Sequence, residues 1–129
     1  MKFLTRFSDQ LYSLMRLMVG FLFACHGAQK LFGVLGGQQL VHVPLMLAAG
    51  IVEFFGGLLI ALGAFTAVAA FIASGEMATA YFLGHAPHGL WPIKNHGEPA
   101  VVYCFVFLYI ASHGDGTWNV RRLLKSKRL

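Results

Sequence analysis

The sequence predicts an all-α integral membrane protein, a four-helix bundle with its N- and C-termini both in the cytoplasm. Hydrophobic residues make up 57% of the 129 residues and charged residues only 12%, whereas a soluble domain carries about 25% charged residues. The apolar residues fall into four runs, and the cations gather at the two ends of the chain. Lipid can cover the apolar surface that so short a chain would otherwise expose to water.

The whole chain is expected to form one transmembrane domain. The apolar runs predict helices over about 11–32, 43–62, 64–83 and 98–113, followed by a basic tail over 121–129. The first three runs approach the roughly 20 residues that a helix needs to cross a bilayer. Two outer loops, 33–42 and 84–97, and an inner turn, 63–66, connect the helices. Pro99 suits the first helical position, which would make Glu98 the N-cap of the fourth helix.

The fourth run is short, and the charge distribution is what supports its crossing. With three spans, the basic tail would lie across the membrane from Lys2 and Arg6. With four spans, all seven terminal cations lie on one side, as the positive-inside rule expects for the cytoplasm. We therefore expect a multi-pass protein of the cell inner membrane. The tail is interpreted as an anchor beside anionic lipid, and no nucleic-acid binding is expected because no folded basic module is present.

Ionisable residues interrupt the apolar runs. An ionisable side chain in hydrocarbon costs at least about 2.5 kcal/mol, so it faces the bundle interior or a wet cavity. At about 1.5 Å per residue, His26, Glu53 and Glu76 fall in the middle or outer half of their helices, and Glu98 lies at the outer edge. Lys30 follows His26 by one helical turn. The residues predicted to line one outer cavity are His26, Lys30, Glu53, Glu76, Tyr81, Glu98 and Tyr103.

Two interpretations of this cavity are open. In the first, His26 or Lys30 neutralises a glutamate and fixes the order of the helices. In the second, the cavity is proton-coupled or redox-active and binds a small molecule such as a quinone. A quinone needs a flat apolar slot with a proton donor at each carbonyl end, and Phe-rich walls with His and Glu could provide it.

Two further sets of residues could carry chemistry. His85, His88 and His96 lie on the same predicted side as His42 and Glu98, and imidazole and carboxylate suit zinc, copper or iron. No tight motif joins these histidines, so a metal is a weaker candidate than a quinone.

Cys25 and Cys104 both lie about 9 Å from the outer end of their predicted helices. A redox disulfide would form between them if the first and fourth helices touch, whereas an isolated buried cysteine is usually a small apolar residue.

The chain resembles the DoxX family of small membrane proteins from about Arg16 to Trp118. The resemblance rests on these groups of residues: His26-Gly27, Lys30-Leu31-Phe32-Gly33, Glu53-Phe54-Phe55-Gly56-Gly57, Gly75-Glu76-Met77-Ala78, Ala80-Tyr81-Phe82, His85, Pro87, Gly89, Trp91-Pro92, Asn95, Gly97-Glu98, Tyr103, Phe105 and Phe107-Leu108-Tyr109. It implies a four-helix membrane bundle in which His26, Glu53, Glu76 and Glu98 are the characteristic polar positions.

The functions that the resemblance implies are diverse. Some relatives resemble subunits of a thiosulfate:quinone oxidoreductase, others belong to membrane complexes that answer oxidative stress, and distant ones act in protein maturation. This chain departs from the family on the inner side, where Thr66-Ala67-Val68 replaces a frequent Thr-Arg-Pro and Arg121 replaces a frequent aspartate. Partners at the inner face are therefore the least transferable inference, and thiosulfate activity is not expected.

The first function expected is that of a redox-linked membrane subunit with a quinone-binding cavity. The alternative is a non-enzymatic accessory or assembly protein of a membrane complex. A solute or proton carrier is the weakest hypothesis, because the sequence shows no inverted repeat. The expected partners are the lipid bilayer, membrane or redox subunits, and a second copy of the chain in a homo-oligomer.

Overall fold

Four long helices make up most of the computed structural model, which describes residues 1–127. They are α1 (Ser8–Phe32), α2 (Pro44–Leu62), α3 (Thr66–His88) and α4 (Glu98–His113). Short helical segments lie at Lys2–Thr5, Pro92–Asn95 and Val120–Ser126. No strand is present in the described range, so the all-α prediction is confirmed. Arg128 of the predicted basic tail lies outside the described residues.

The three longest helices have the length and apolar composition that a membrane crossing requires. They are α1, α2 and α3, whereas α4 has 16 residues and is the shorter apolar helix that its sequence predicts. Two of the differences from the sequence prediction lie on either side of the connection between α3 and α4. Helix α3 continues to His88 instead of ending at 83, and Gly97 rather than Glu98 is the N-cap of α4. The predicted long outer loop is consequently shorter.

Glycine lets α1 and α2 pack backbone to backbone. A Cβ built on Gly57 would lie 2.5 Å from the Ala24 nitrogen and 2.6 Å from the Gly20 oxygen. Gly27 likewise lies against the backbone of Phe54. Close approach through small residues is how helices associate in lipid, where burial of apolar surface from water is absent as a driving force.

Helices α3 and α4 form the second closely packed pair, through small residues on α3. Ala70 and Ala73 are fully buried in the same cluster as Phe107 and Ile110 of α4. Phe23 of α1 reaches across to this pair, with its ring centroid 4.6 Å from that of Phe107. The core therefore lies between the two helix pairs.

A buried arginine joins three parts of the chain at one end of the bundle. Arg16 is 1% exposed and donates hydrogen bonds to the carbonyls of Ile60, Ala61 (2.9 Å) and Trp118. The Tyr12 hydroxyl donates to the Gly114 carbonyl at 2.6 Å. The start of α1, the end of α2 and the segment after α4 thus meet at one end, which we call the inner end. The opposite end is called the outer end.

Candidate functional site

A cavity of about 210 Å³ lies between the four helices in the outer half of the bundle. We call it the polar cavity, because each helix contributes a polar side chain to its lining. These side chains are His26 and Lys30 from α1, Glu53 from α2, Glu76 and His85 from α3, and Tyr103 from α4. The structure thus brings together five of the seven residues that the sequence predicts here, and adds His85.

The Glu53 carboxylate is paired. It is 3% exposed, and Lys30 Nζ lies 2.6 Å from both of its oxygens. This pair joins α1 to α2 across the wall of the polar cavity. A buried carboxylate requires such a partner, because burying an unpaired charge in a medium of low dielectric constant is costly.

Glu76 lies in the same cavity without a comparable partner. Its Oε2 is buried and makes no hydrogen bond within residues 1–127. Lys30, the lysine of the lining, is already bound to Glu53. A buried polar atom left without a partner costs about 1–3 kcal/mol, so this oxygen is the atom of the polar cavity best suited to a ligand or water.

Two aromatic rings border the polar cavity on the side of α1 and α4. The rings of His26 and Tyr103 are perpendicular, with centroids 6.3 Å apart. Tyr103 stacks on Phe107 at 5.5 Å, which fixes the plane of its ring. His26 is exposed although it lines the cavity, so the imidazole lies at the opening rather than in the interior.

Both glutamate-bearing walls contain a π-helical segment. Val52–Gly56 in α2 includes Glu53, and Tyr81–His85 in α3 ends at His85. Such wider turns occur mostly as single π-bulges within α-helices, frequently at functional sites. The second segment explains why α3 extends beyond its predicted end, since the helix widens at Tyr81 rather than stopping.

Tyr81 does not line the polar cavity, contrary to the sequence prediction. It is buried, and its hydroxyl donates to the Leu90 carbonyl and accepts from Asn95 Nδ2 at 3.3 Å. Tyr81 therefore holds the connection between α3 and α4 against the end of α3.

A second cavity of about 410 Å³ adjoins the first between α2 and α3. We call it the apolar cavity, because most of its lining is aliphatic, including Leu45, Val52 and Leu83. The two cavities share five lining residues: Met46, Ala49, Glu76, Ala80 and His85. Glu76 and His85 thus lie where a polar chamber meets an apolar one.

Glu98 lies outside the polar cavity. It is exposed and lines a groove of about 430 Å³ together with Val19, Val102 and Val106. We call this the α1–α4 groove. Glu98 is the first residue of α4, and its side chain lines this groove instead of the cavity that holds Glu53 and Glu76. Pro99 and Tyr103 line both spaces.

The structure does not assemble the histidines into a metal centre. Within residues 1–127, no group of three or more His, Cys, Asp or Glu side chains could hold a metal ion. His42, His88 and His96 are exposed, whereas His85 turns into the cavities.

Cys25 and Cys104 are free and partly buried. Cys104 Sγ lies 3.5 Å from the Ser74 hydroxyl, so its contact is with α3. A redox disulfide between the two cysteines stays a prediction.

Sequence reasoning missed Arg16 and Asn95. Arg16 was named only as the start of the family resemblance, yet it is the most deeply buried charged side chain within residues 1–127. A lone arginine near the end of an apolar run is the available signal, because a buried guanidinium requires acceptors such as the free carbonyls at a helix C-terminus. Asn95 belongs to the residues that carry the family resemblance, but that resemblance does not indicate its hydrogen bonds to Gly89 and Gly97.

Comparison with known proteins identifies a family. The family model described as DoxX matches residues 11–86, which include most of α1, all of α2 and most of α3. An uncharacterized protein of Haemophilus influenzae is 39% identical over 120 residues, covering 88% of this chain and 90% of that protein. No solved structure matches the chain.

Proposed function

The chain belongs to the DoxX family of membrane proteins, and from this premise we propose that it is a redox-linked membrane subunit that binds a quinone in the polar cavity. The observation that carries the proposal is the buried Glu76 Oε2 without a hydrogen-bond partner. It lies between a polar chamber and an apolar one. A quinone also has a polar and an apolar part: its planar ring carries two carbonyl oxygens, and its tail is apolar.

The two cavities suit these two parts separately. The ring would occupy the polar cavity, with one carbonyl beside Glu76 and the other toward His26 and Tyr103. The tail would occupy the apolar cavity between α2 and α3. Ligand pockets typically measure about 300–1,000 Å³, a range that two adjoining cavities of about 210 and about 410 Å³ satisfy together.

The chain's own part in a redox reaction is to bind the ring and to hold protons near its oxygens. Reduction of a quinone to a quinol takes up two electrons and two protons. Carboxyl, imidazole and phenol groups at the cavity can exchange protons with a bound ligand. We assign the electron transfer to a partner redox subunit.

We further propose that the protein is multi-pass in the cell inner membrane with both termini cytoplasmic. The inner end carries Lys2, Arg6 and the cations after α4, as the positive-inside rule requires. The polar cavity would then lie in the half of the bilayer away from the cytoplasm.

Photoaffinity labelling tests quinone binding. The purified protein in lipid nanodiscs is irradiated with an azidoquinone, with and without excess unmodified quinone, and the labelled peptides are identified by mass spectrometry. We expect competed labelling on peptides that contain Met46 or Met77. Glu76→Leu should weaken binding about tenfold, since a hydrogen bond is lost. Glu98→Leu, in the α1–α4 groove, is the matched control and should leave the affinity unchanged.

Two outcomes would overturn the quinone proposal. One is labelling that excess quinone does not compete. The other is competed labelling confined to peptides of the α1–α4 groove, with Glu98→Leu weakening binding instead of Glu76→Leu.

The α1–α4 groove supports a second candidate function, that of an accessory or assembly protein. The groove is apolar apart from Glu98 and Tyr103, and α4 is short enough to favour burial beside a neighbouring helix. A photo-crosslinking amino acid at Val102 would test this in cells. We expect one reproducible membrane protein whose abundance falls when the chain is deleted, whereas crosslinks to lipid or to a second copy alone would contradict it.

A further inference from the structure

The imidazole of His85 has a fixed orientation. Its Nδ1 lies 3.1 Å from the backbone carbonyl oxygen of Asn95. A carbonyl oxygen only accepts hydrogen bonds, so Nδ1 must carry the hydrogen. Neutral His85 therefore has its lone pair on Nε2, the nitrogen that can take up a proton.

Asn95 is held firmly enough to impose this orientation. Its side chain is 6% exposed, and Nδ2 donates to the Gly89 carbonyl at 2.6 Å. Its Oδ1 accepts from the Gly97 backbone nitrogen at 2.8 Å. A Cβ on Gly97 would lie 2.8 Å from His85 Cβ, so the chain packs directly against His85 at this point.

His85 also lies between the cavities and the outer end of the bundle. It is half-buried, lines both cavities, and lies in the last turn of α3. Glu76 lines the same two cavities from the same helix and has a buried oxygen without a partner. The His85 imidazole and a Glu76 oxygen that has no hydrogen-bond partner within residues 1–127 thus share one chamber.

Four other charged or titratable side chains face the polar cavity, and each contacts another of the four. Lys30 of α1 and Glu53 of α2 bind each other. His26 of α1 and Tyr103 of α4 lie against each other at the opening on the opposite side. His85 and Glu76 are the two titratable side chains that α3 contributes to the lining of both cavities.

We propose that His85 is a proton-relay residue between the outer end of the bundle and Glu76. Nε2 takes a proton from water at the outer end, which gives an imidazolium. Nine residues of α3, a rise of about 13 Å, separate His85 from Glu76, so the imidazolium passes that proton through a chain of water molecules in the shared chamber. The Glu76 carboxylate takes it up and becomes a neutral carboxylic acid, while His85 returns to its neutral form. The reverse sequence releases a proton outward, and the Nδ1 hydrogen stays on His85 throughout, bonded to the Asn95 carbonyl oxygen.

The use of the relay rests on the proposed quinone function, because a quinone takes up protons on reduction and a quinol releases them on oxidation. The relay itself needs no bound quinone. It is a property of two side chains and can be measured on the protein alone.

Infrared spectroscopy in nanodiscs tests the relay without any quinone. The C=O band of the protonated Glu76 carboxyl, assigned by its loss in Glu76→Gln, shifts on transfer to D₂O, and its exchange rate is the measured quantity. We expect exchange to slow by about 10²-fold or more in His85→Ala, the scale of general acid–base catalysis. His88→Ala, three residues away and exposed, is the control and should exchange as the wild type does.

Two further measurements separate a relay from a merely structural role. Added imidazole should restore fast exchange in His85→Ala. His85→Gln keeps a hydrogen-bond donor for the Asn95 carbonyl but cannot carry a proton, so it should fold and still exchange slowly. Nitrogen-15 NMR of histidine-labelled protein should show hydrogen on Nδ1 of neutral His85.

Several results would overturn the relay: exchange as fast in His85→Gln as in the wild type, no rescue by imidazole, hydrogen on Nε2 of neutral His85, or no protonated Glu76 band at any pH at which the protein is folded. Quinone labelling of the wild-type protein is measured in parallel. Competed labelling with unchanged proton exchange would refute the relay alone. Slow exchange without any competed labelling would refute the quinone proposal alone.

Discussion

Lys30 Nζ lies 2.6 Å from both carboxylate oxygens of Glu53, and this pair separates the roles of the two membrane glutamates. The sequence left open whether the buried carboxylates are structural or functional. The structure assigns the structural contact to Glu53, whose charge is matched by Lys30. Glu76 retains a buried oxygen without a partner, so the functional hypothesis rests on that residue.

Removal of Lys30 should destabilise the protein strongly. Lys30→Met leaves the Glu53 charge buried without a partner, a change that costs about 3–5 kcal/mol for a buried pair. We expect a loss near the lower end of that range, because the Lys30 side chain is 24% exposed. Unfolding by denaturing detergent in mixed micelles measures the loss.

The double variant K30M/E53Q distinguishes charge from packing. It removes both charges and should recover most of the stability lost in Lys30→Met. Lys94→Met, on the exposed outer connection, should have almost no effect. Equal losses of stability in K30M and K30M/E53Q would show that the charges of the Lys30–Glu53 pair contribute little to the free energy of unfolding.

Two adjacent glycines in α2 should respond oppositely to alanine. Gly57→Ala places a methyl group against the backbone of Ala24 and Gly20, and should cost about 1–3 kcal/mol or separate α1 from α2. Gly56→Ala meets nothing within 4 Å and should be neutral or stabilising by up to about 1 kcal/mol, since alanine favours the helix. The same unfolding assay compares them, and a Gly56→Ala loss as large as that of Gly57→Ala would contradict the close approach.

The sequence predicted the position of residues along the helix axes better than the side of the helix that each side chain faces. His26, Glu53 and Glu76 reach one cavity because their helices have ordinary rise per residue and the residues lie at similar depth. Glu98 has a suitable depth but faces the α1–α4 groove, and the side a residue faces depends on how the helices are rotated against one another. Tyr81 contacts the connection between α3 and α4 instead of lining the cavity. It begins the segment in which α3 widens into a π-helix, and this widening leaves no pattern in the apolar run from which it could be predicted.

Arg16 should hold the C-terminal segment at the inner end. Arg16→Met removes the donors to the Ile60, Ala61 and Trp118 carbonyls. Hydrogen bonds to a charged group contribute about 1.5–3 kcal/mol, so local opening of this segment should increase about 10- to 100-fold. Trypsin cleavage after Arg121 or Arg122, followed by mass spectrometry in mild detergent, reports that opening. Arg6→Met, at an exposed arginine, should leave the cleavage rate unchanged, and an unchanged rate in Arg16→Met would refute the role.

Cysteine accessibility should show four crossings. In a background in which Cys25 and Cys104 are replaced by alanine, single cysteines at exposed positions are labelled with a membrane-impermeant maleimide on intact cells. The outer-end variants Gln38→Cys and His88→Cys should react, because each lies in or beside a connection at the outer end.

The inner-end variants decide whether α4 crosses. Lys2→Cys and Ser126→Cys should react only after the membrane is opened, because the start of α1 and the segment after α4 meet at the inner end. A short helix can cross by local thinning of the bilayer or by burial within the bundle. If Lys2→Cys and Ser126→Cys instead reacted from opposite sides, the chain would cross three times, α4 would lie as a re-entrant or surface helix, and the positive-inside argument for the fourth span would fail.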